Sequence, residues 1–153
     1  MIKLDETNQA ILRILQKDSS LTNQQLAAQI GLSPAATLER VKRMEQTGII
    51  RQYAALLDPK KLEMRIKAFI LVTMKDHTEQ GIQAFSDRVR EFPEVMECCR
   101  LAGERDYILK VVSDNMDTFE EFTRTKLSTL PGIDKTSSSI VLASIVDRTD
   151  LPL

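Results

Sequence analysis

The stretch GLSPAATLERVKRMEQTGII, Gly31 to Ile50, constrains this chain more than any other segment. It reads as the turn and second helix of a helix-turn-helix, followed by the entry to a hairpin. Gly31 supplies the left-handed conformation that ends one helix. Ser33 caps the next, with Pro34 at its first position, where a missing N–H costs nothing. Leu38, Val41 and Met44 recur at three-residue steps and predict a buried face. Thr37, Arg40 and Arg43 share a different face and are expected to point outward, with Lys42 and Arg51 as further cations. A short helix anchored on one side and cationic on the other has the shape that enters a DNA major groove. For a lone helix, an amphipathic segment with solvated charges is the plainer reading. The flanking sequence decides against it.

Upstream, Asp5 caps a helix whose apolar positions are Ile11, Leu12, Ile14 and Leu15. Thr22-Asn23-Gln24-Gln25 is a capping-box signature for a second, short helix burying Leu26 and Ile30, with Ala27 small where helices cross. In the commonest helix-turn-helix spacing the next anchors fall at Thr37 and Arg40. Here Leu38 and Val41 are the apolar residues, which predicts a turn one residue longer. Gly48 stops the third helix, and Ile49–Leu57 is a β-type run closed by Asp58-Pro59. Three helices and a strand predict a DNA-binding head over residues 1–59, with residues 60–153 forming a second domain.

Residues 1–61 hold nine Lys or Arg against six Asp or Glu, and residues 62–153 hold twelve against sixteen. The balances of +3 and −4 return the net charge of −1, so the chain is no polycation that coats nucleic acid indiscriminately. A modest excess in the head calls for two or more heads acting together. No apolar run approaches the roughly twenty residues that span a membrane. The start MIKLDETNQA lacks the apolar core of a signal peptide, and a cytoplasmic protein is expected. Cys98 and Cys99 are adjacent and cannot form an ordinary structural disulfide with each other, which fits a reduced compartment. Two cysteines and one histidine make no metal pattern; His77 reads as a solvated loop residue. No nucleophile with an adjacent base and no cofactor motif are present, so an enzyme is not expected.

The second half orders itself as strand (Ile66–Lys75), helix (Glu79–Phe92, burying Ile82, Phe85, Val89 and Phe92), strand (Val95–Ala102) and strand (Tyr107–Ser113). A helix opened by Asp117-Thr118-Phe119-Glu120 and running to about Leu130 follows, then a strand from Thr136 to Asp147. The order βαββαβ predicts a ferredoxin-like module, an α+β fold with an antiparallel sheet and both helices on one face. Such a sheet normally alternates apolar and polar. Here Ala68, Ile70, Val72 and Met74 fill one side of the first strand, yet Phe69 and Leu71 occupy the other. Tyr107-Ile108-Leu109 and Ile140-Val141-Leu142-Ala143 are also apolar on both sides. A second apolar face calls for a partner, and homodimerisation through the sheet also supplies a second head.

The chain resembles the leucine-responsive regulatory protein (Lrp/AsnC, or feast/famine) family of transcription regulators. The resemblance is carried by Leu4-Asp5 with Asn8 and Ile11-Leu12, LQKD at Leu15–Asp18, GLSP at Gly31–Pro34 and LERV at Leu38–Val41. Gly48-Ile49-Ile50, YAALLDP at Tyr53–Pro59 and LPG at Leu130–Gly132 extend it over nearly the whole chain. It implies a winged helix-turn-helix joined to a βαββαβ module that dimerises and commonly assembles into octamers. It also implies a sequence-specific regulator that binds double-stranded DNA through residues such as Ser33, Thr37, Arg40, Lys42, Arg43 and Arg51. A small amino acid would bind between dimers, with leucine or methionine favoured by the closer match to the leucine-responsive branch. The alternatives are an amino-acid sensor without gene-specific regulation and an architectural DNA-compacting protein.

From the residues alone, Gly103-Glu104-Arg105-Asp106 reads as a charged hairpin tip. A free amino acid needs acceptors for its ammonium and donors for its carboxylate, and this turn carries both. The resemblance maps the family's Gly-x-x-Asp effector loop onto Gly103 and Asp106, so that Leu101, Ala102, Gly103, Glu104, Arg105 and Asp106 become the expected effector segment. Arg105 stands where the family often has an aromatic or apolar residue. Ser137 and Ser139 fall in the last strand, near Ile140 and Val141, and are expected to supply hydroxyls.

Overall fold

A computed structural model describes residues 4–153; the first three positions of the expected head, and with them the opening of MIKLDETNQA, lie outside it. The chain divides into two compact units. One runs up to Leu56 and takes back Val146–Leu153, and the other is Leu57–Ile145.

The first unit is built on α1 (Glu6–Lys17), α2 (Asn23–Ile30) and α3 (Pro34–Gln46). Each starts on a side chain that accepts an otherwise orphaned backbone N–H: Asp5 from Asn8, Thr22 from Gln25 and Ser33 from Ala36. Thr22 and Gln25 form the expected reciprocal capping box. Gly31 closes α2 at φ 72°, where any Cβ is strained. Ile11, Leu12, Leu26, Val41 and Met44 make the core.

Two expectations for the head are corrected. Thr37 is fully buried, and Leu38 is 37% exposed. At about 100° per residue, Thr37, Val41 and Met44 fall within an arc of roughly 60°, whereas Leu38 lies roughly 120° from Met44. The i, i+4, i+7 set therefore wins over the three-residue steps. The hydroxyl of Thr37 donates to the Ser33 carbonyl at 3.0 Å, so its burial leaves no polar group unmet. The anchor at Thr37 keeps the commoner spacing, and the turn is not lengthened. The second correction concerns Ile49–Leu57, which forms no strand. A strand needs a neighbour for its N–H and C=O groups, and the described residues of this unit contain no other strand. Tyr53 donates its hydroxyl to Glu45 at 2.8 Å, while Leu56 and Leu57 stay exposed. The returning tail lines the same groove as this segment and bonds to α1. The Leu151 N–H donates to Gln16 Oε1 at 2.6 Å, and Arg13 Nε donates to the Leu153 carbonyl at 2.7 Å.

The second unit runs β1 (Ile66–Met74), α4 (Glu79–Arg90), β2 (Val95–Arg100), β3 (Tyr107–Ser113), α5 (Met116–Glu121) and β4 (Ile133–Ile140). A π-helical stretch, Phe122–Leu127, continues α5. The sheet order is β2-β3-β1-β4, antiparallel throughout, as expected for βαββαβ. Ala68, Ile70, Val72, Leu109 and Val111 pack with Phe85 and Val89 of α4 and with Phe119, Phe122 and Leu127, so both helices cover one face. Phe69, 37% exposed, and the half-buried Leu71 and Ile108 lie on the other.

Helix α4 ends at Arg90 rather than Phe92 and β2 at Arg100 rather than Ala102, and two boundaries move further. The cap of α5 is Asn115, paired reciprocally with Thr118, rather than a start at Asp117, because Asn115 already has the extended backbone a cap needs. The last strand covers Ile133–Ile140 and stops short of Asp147. Its ladder ends where β1 ends: Ala68 pairs with Ile140, and one further bond joins the Val141 N–H to the Lys67 carbonyl. The apolar run at Leu142 and Ile145 is consequently exposed.

Ile70 is completely buried at the centre of this core. Ile70→Ala is expected to lower unfolding free energy by about 2–5 kcal/mol, measured as a shifted urea midpoint with unchanged slope.

Candidate functional site

The outward face of α3 carries Lys42 and Arg43, both exposed, with Ser33 exposed at its N-terminus and Arg51 exposed beyond its end. Ser33 Oγ is already the acceptor for the Ala36 N–H at 3.2 Å, so its hydroxyl hydrogen is what remains to meet a phosphate. Arg40 behaves differently. Its Nη1 donates to Asp5 Oδ2 at 2.7 Å and to Asn8 Oδ1 at 2.9 Å, and Asn8 is buried. Arg40 therefore brackets α1 to α3 rather than projecting freely. The Arg40 guanidinium, and then the Asn8 N–H, hold the Asp5 carboxyl below the usual carboxylate range. Thr37, buried beneath Ser33, does not reach the outward face at all.

The second cluster is the β2–β3 turn. Leu101, Ala102, Gly103 and Glu104 are exposed, and Arg105 and Asp106 are half-buried. Gly103 has a φ of 157° and open space where a Cβ would stand. Asp106 pins the turn to the end of β1. Its Oδ2 accepts the Met74 N–H at 2.7 Å and its Oδ1 lies 3.0 Å from His77 Nε2. Its own N–H donates to the Val72 carbonyl, and its carbonyl accepts the Leu101 N–H. The Met74 N–H foremost, then the His77 ring and the charge of Arg100, keep this carboxyl low. His77 is thus no idle loop residue. It lies 29 positions from its partner, a separation that no local sequence signal spans. Arg105 Nη1 donates to Thr73 Oγ1 at 3.1 Å, which draws it onto the sheet face that the helices leave open. Ser137 and Ser139 are on that same face of β4, paired across β1 with Leu71 and Phe69. Thr73, at the turn's end of β1, pairs with Lys135, so both serines stand farther along the strand than the turn. Among the described residues no group of His, Cys, Asp and Glu is placed to hold a metal, and no helix is long and apolar enough to cross a membrane.

The head and the βαββαβ module each match a known family profile. Residues 67–151 match the family profile described as the Lrp/AsnC ligand binding domain, and residues 4–51 match a winged helix-turn-helix DNA-binding profile. The chain belongs to the Lrp/AsnC family. Transcriptional regulator AzlB of Bacillus subtilis is 37% identical over 99% of this chain and 97% of that protein. The leucine-responsive regulatory protein of Rhizobium meliloti is 32% identical, with the same 99% and 97% covered. Among solved structures, a transcriptional regulator of Neisseria meningitidis in complex with L-methionine aligns with a TM-score of 0.94. It is 39% identical, over 98% of this chain and 97% of that one. This Lrp/AsnC chain is accordingly a DNA-binding transcription regulator with an amino-acid-binding module.

Arg40→Ala strands the buried Asn8 acceptor. The head is expected to lose about 1–3 kcal/mol of stability, read in urea melts, whereas Arg43→Ala stays within about 0.5 kcal/mol. A depressed carboxyl such as Asp106 contributes stability above its unfolded value and loses it as pH falls through its lower folded value. The melting-temperature advantage of the wild type over Asp106→Asn is expected to be level at neutral pH and to shrink only below the ordinary carboxyl value of 3.8.

Proposed function

We propose that this chain is a sequence-specific regulator, cytoplasmic, whose assembly and DNA binding respond to leucine or methionine held at the Leu101–Asp106 turn. The observation that carries the reading is the turn itself. It combines exposed backbone at Ala102 and Gly103, the free-standing acid Glu104 and a guanidinium at Arg105, in a chain 39% identical to a protein solved with L-methionine. A feast or famine regulatory protein of Mycobacterium tuberculosis, also solved with L-methionine, aligns at a TM-score of 0.87 and 26% identity over 97% of this chain and 99% of that one.

In this reading residues 1–59 are the DNA-binding domain and residues from 60 onward the effector and oligomerisation domain, except that the final Val146–Leu153 stretch belongs structurally to the head. Lys42, Arg43, Arg51 and Ser33 meet double-stranded DNA, while Arg40 and Thr37 act by holding α3 in place. Leu38, exposed on the same helix, offers an apolar contact such as a thymine methyl accepts. The open sheet face with Phe69, Leu71 and Ile108 closes a homodimer, and dimers group further, to an octamer. Ser137 and Ser139 lie on that face, so any role they have in the effector response passes through the interface. No catalytic step and no cofactor belongs to this function.

The test pairs a thermal shift with sizing by light scattering, using L-leucine, L-methionine and L-asparagine. At a ligand concentration a hundredfold above Kd, binding adds about 2.7 kcal/mol to stability. Leucine or methionine is expected to raise the melting temperature and move the oligomer distribution together, because a site completed by assembly favours the assembled state. Asp106→Ala is expected to blunt both effects while DNA binding without ligand persists. A response to asparagine alone, or an unchanged response in Asp106→Ala, overturns the assignment.

A further inference from the structure

Tyr107 is 4% exposed, and its hydroxyl has no hydrogen-bond partner. Its ring lies against Phe85, with centroids 4.5 Å apart, in the core between the sheet and α4. A buried hydroxyl without a partner costs free energy, so native proteins rarely keep one without a use. Tyr107 also lines a groove between α4 and the edge strand β2. Ile82 and Val89 give it an apolar wall. Arg100, directly opposite Tyr107 in the β2–β3 register, brings a guanidinium to the same side of the sheet. The other cation along the groove, Arg90, is engaged by Asp87 at 2.7 Å. The one acid along it, Glu97, accepts the Cys99 thiol at 3.3 Å.

We propose that this groove, which adjoins the Leu101–Asp106 turn through Arg100 and Tyr107, is a second small-molecule site, for a monocarboxylate with a short apolar tail. Arg100 meets the carboxylate, the Tyr107 hydroxyl donates to one of its oxygens, and the tail lies along Ile82 and Val89. The two donors and the apolar wall fit the two ends of such a molecule. Neither an inorganic anion nor a neutral hydrocarbon satisfies both.

Cys98 lines the same groove and supplies a readout, since burial pushes its thiol up and a filled groove covers it further. The chain has two cysteines, so Cys99→Ser leaves Cys98 as its sole thiol. In that background, isovalerate is expected to slow alkylation of Cys98 by iodoacetamide in a saturable way, and equal inorganic phosphate is not. Tyr107→Phe and Arg100→Gln are each expected to raise the half-protecting isovalerate concentration about tenfold. Tyr107→Phe without ligand is expected to melt at or above the wild-type temperature, because it removes a hydroxyl that had no partner. No protection by isovalerate, equal protection by phosphate, or unchanged protection in Tyr107→Phe overturns the proposal. A Tyr107→Phe protein that melts well below the wild type also overturns it, since the hydroxyl then has a structural partner.

Discussion

The second unit depends on β1 having two different sides. As the strand paired on both edges, it fixes β3 and β4 in register at once. Its even-numbered residues, Ala68 to Met74, are buried under both helices and hold the sheet to them. Its last residues supply the Val72 carbonyl and Met74 N–H to which Asp106 is tied. The position of the β2–β3 turn therefore follows from the packing of β1, and the side chains of Phe69, Leu71 and Thr73 are presented outward by the same pleat. Burying one face and offering the other are a single geometric event.

The head works by a related economy. Helix α3 is held from beneath by Thr37, Val41 and Met44 and from the side by Arg40 through Asp5 and Asn8. That leaves Leu38, Lys42 and Arg43 to a single outward surface. A cation that appears in sequence to belong to the outward face thus serves to hold the helix that carries it.

Signals that act within one turn of chain were legible without coordinates. The Thr22–Gln25 box, the Ser33-Pro34 start, the Gly31 stop, the βαββαβ order and the two-sided apolarity of β1 all appear as expected, because each is decided by neighbours three or four residues away or by strand alternation. What was not legible depends on distant partners. Arg40 finds Asp5 35 positions away and His77 finds Asp106 29 positions away. Ile49–Leu57 has strand-like composition, but the described residues of the head contain no strand for it to pair with. The apolar run after Ile140 looks like strand until β1 stops offering bonds. Thr37 escapes the sequence pattern for a different reason: a threonine reads as polar, while a hydroxyl returned to the carbonyl four residues back can be buried without penalty.

The return of Val146–Leu153 to the first unit makes the head a discontinuous domain, with the sheet module spliced into its sequence between Leu56 and Val146. Synthesis order then matters. The three helices emerge first, but the strap across Arg13 and Gln16 can be laid down only after the entire inserted stretch has been made. The ends of that insertion are captured by one small body. Its closure is therefore a loop-entropy cost borne by the head, growing only slowly with the insert's length. Lengthening the inserted module is a mild perturbation of the head, whereas cutting the strap frees one end of the loop altogether.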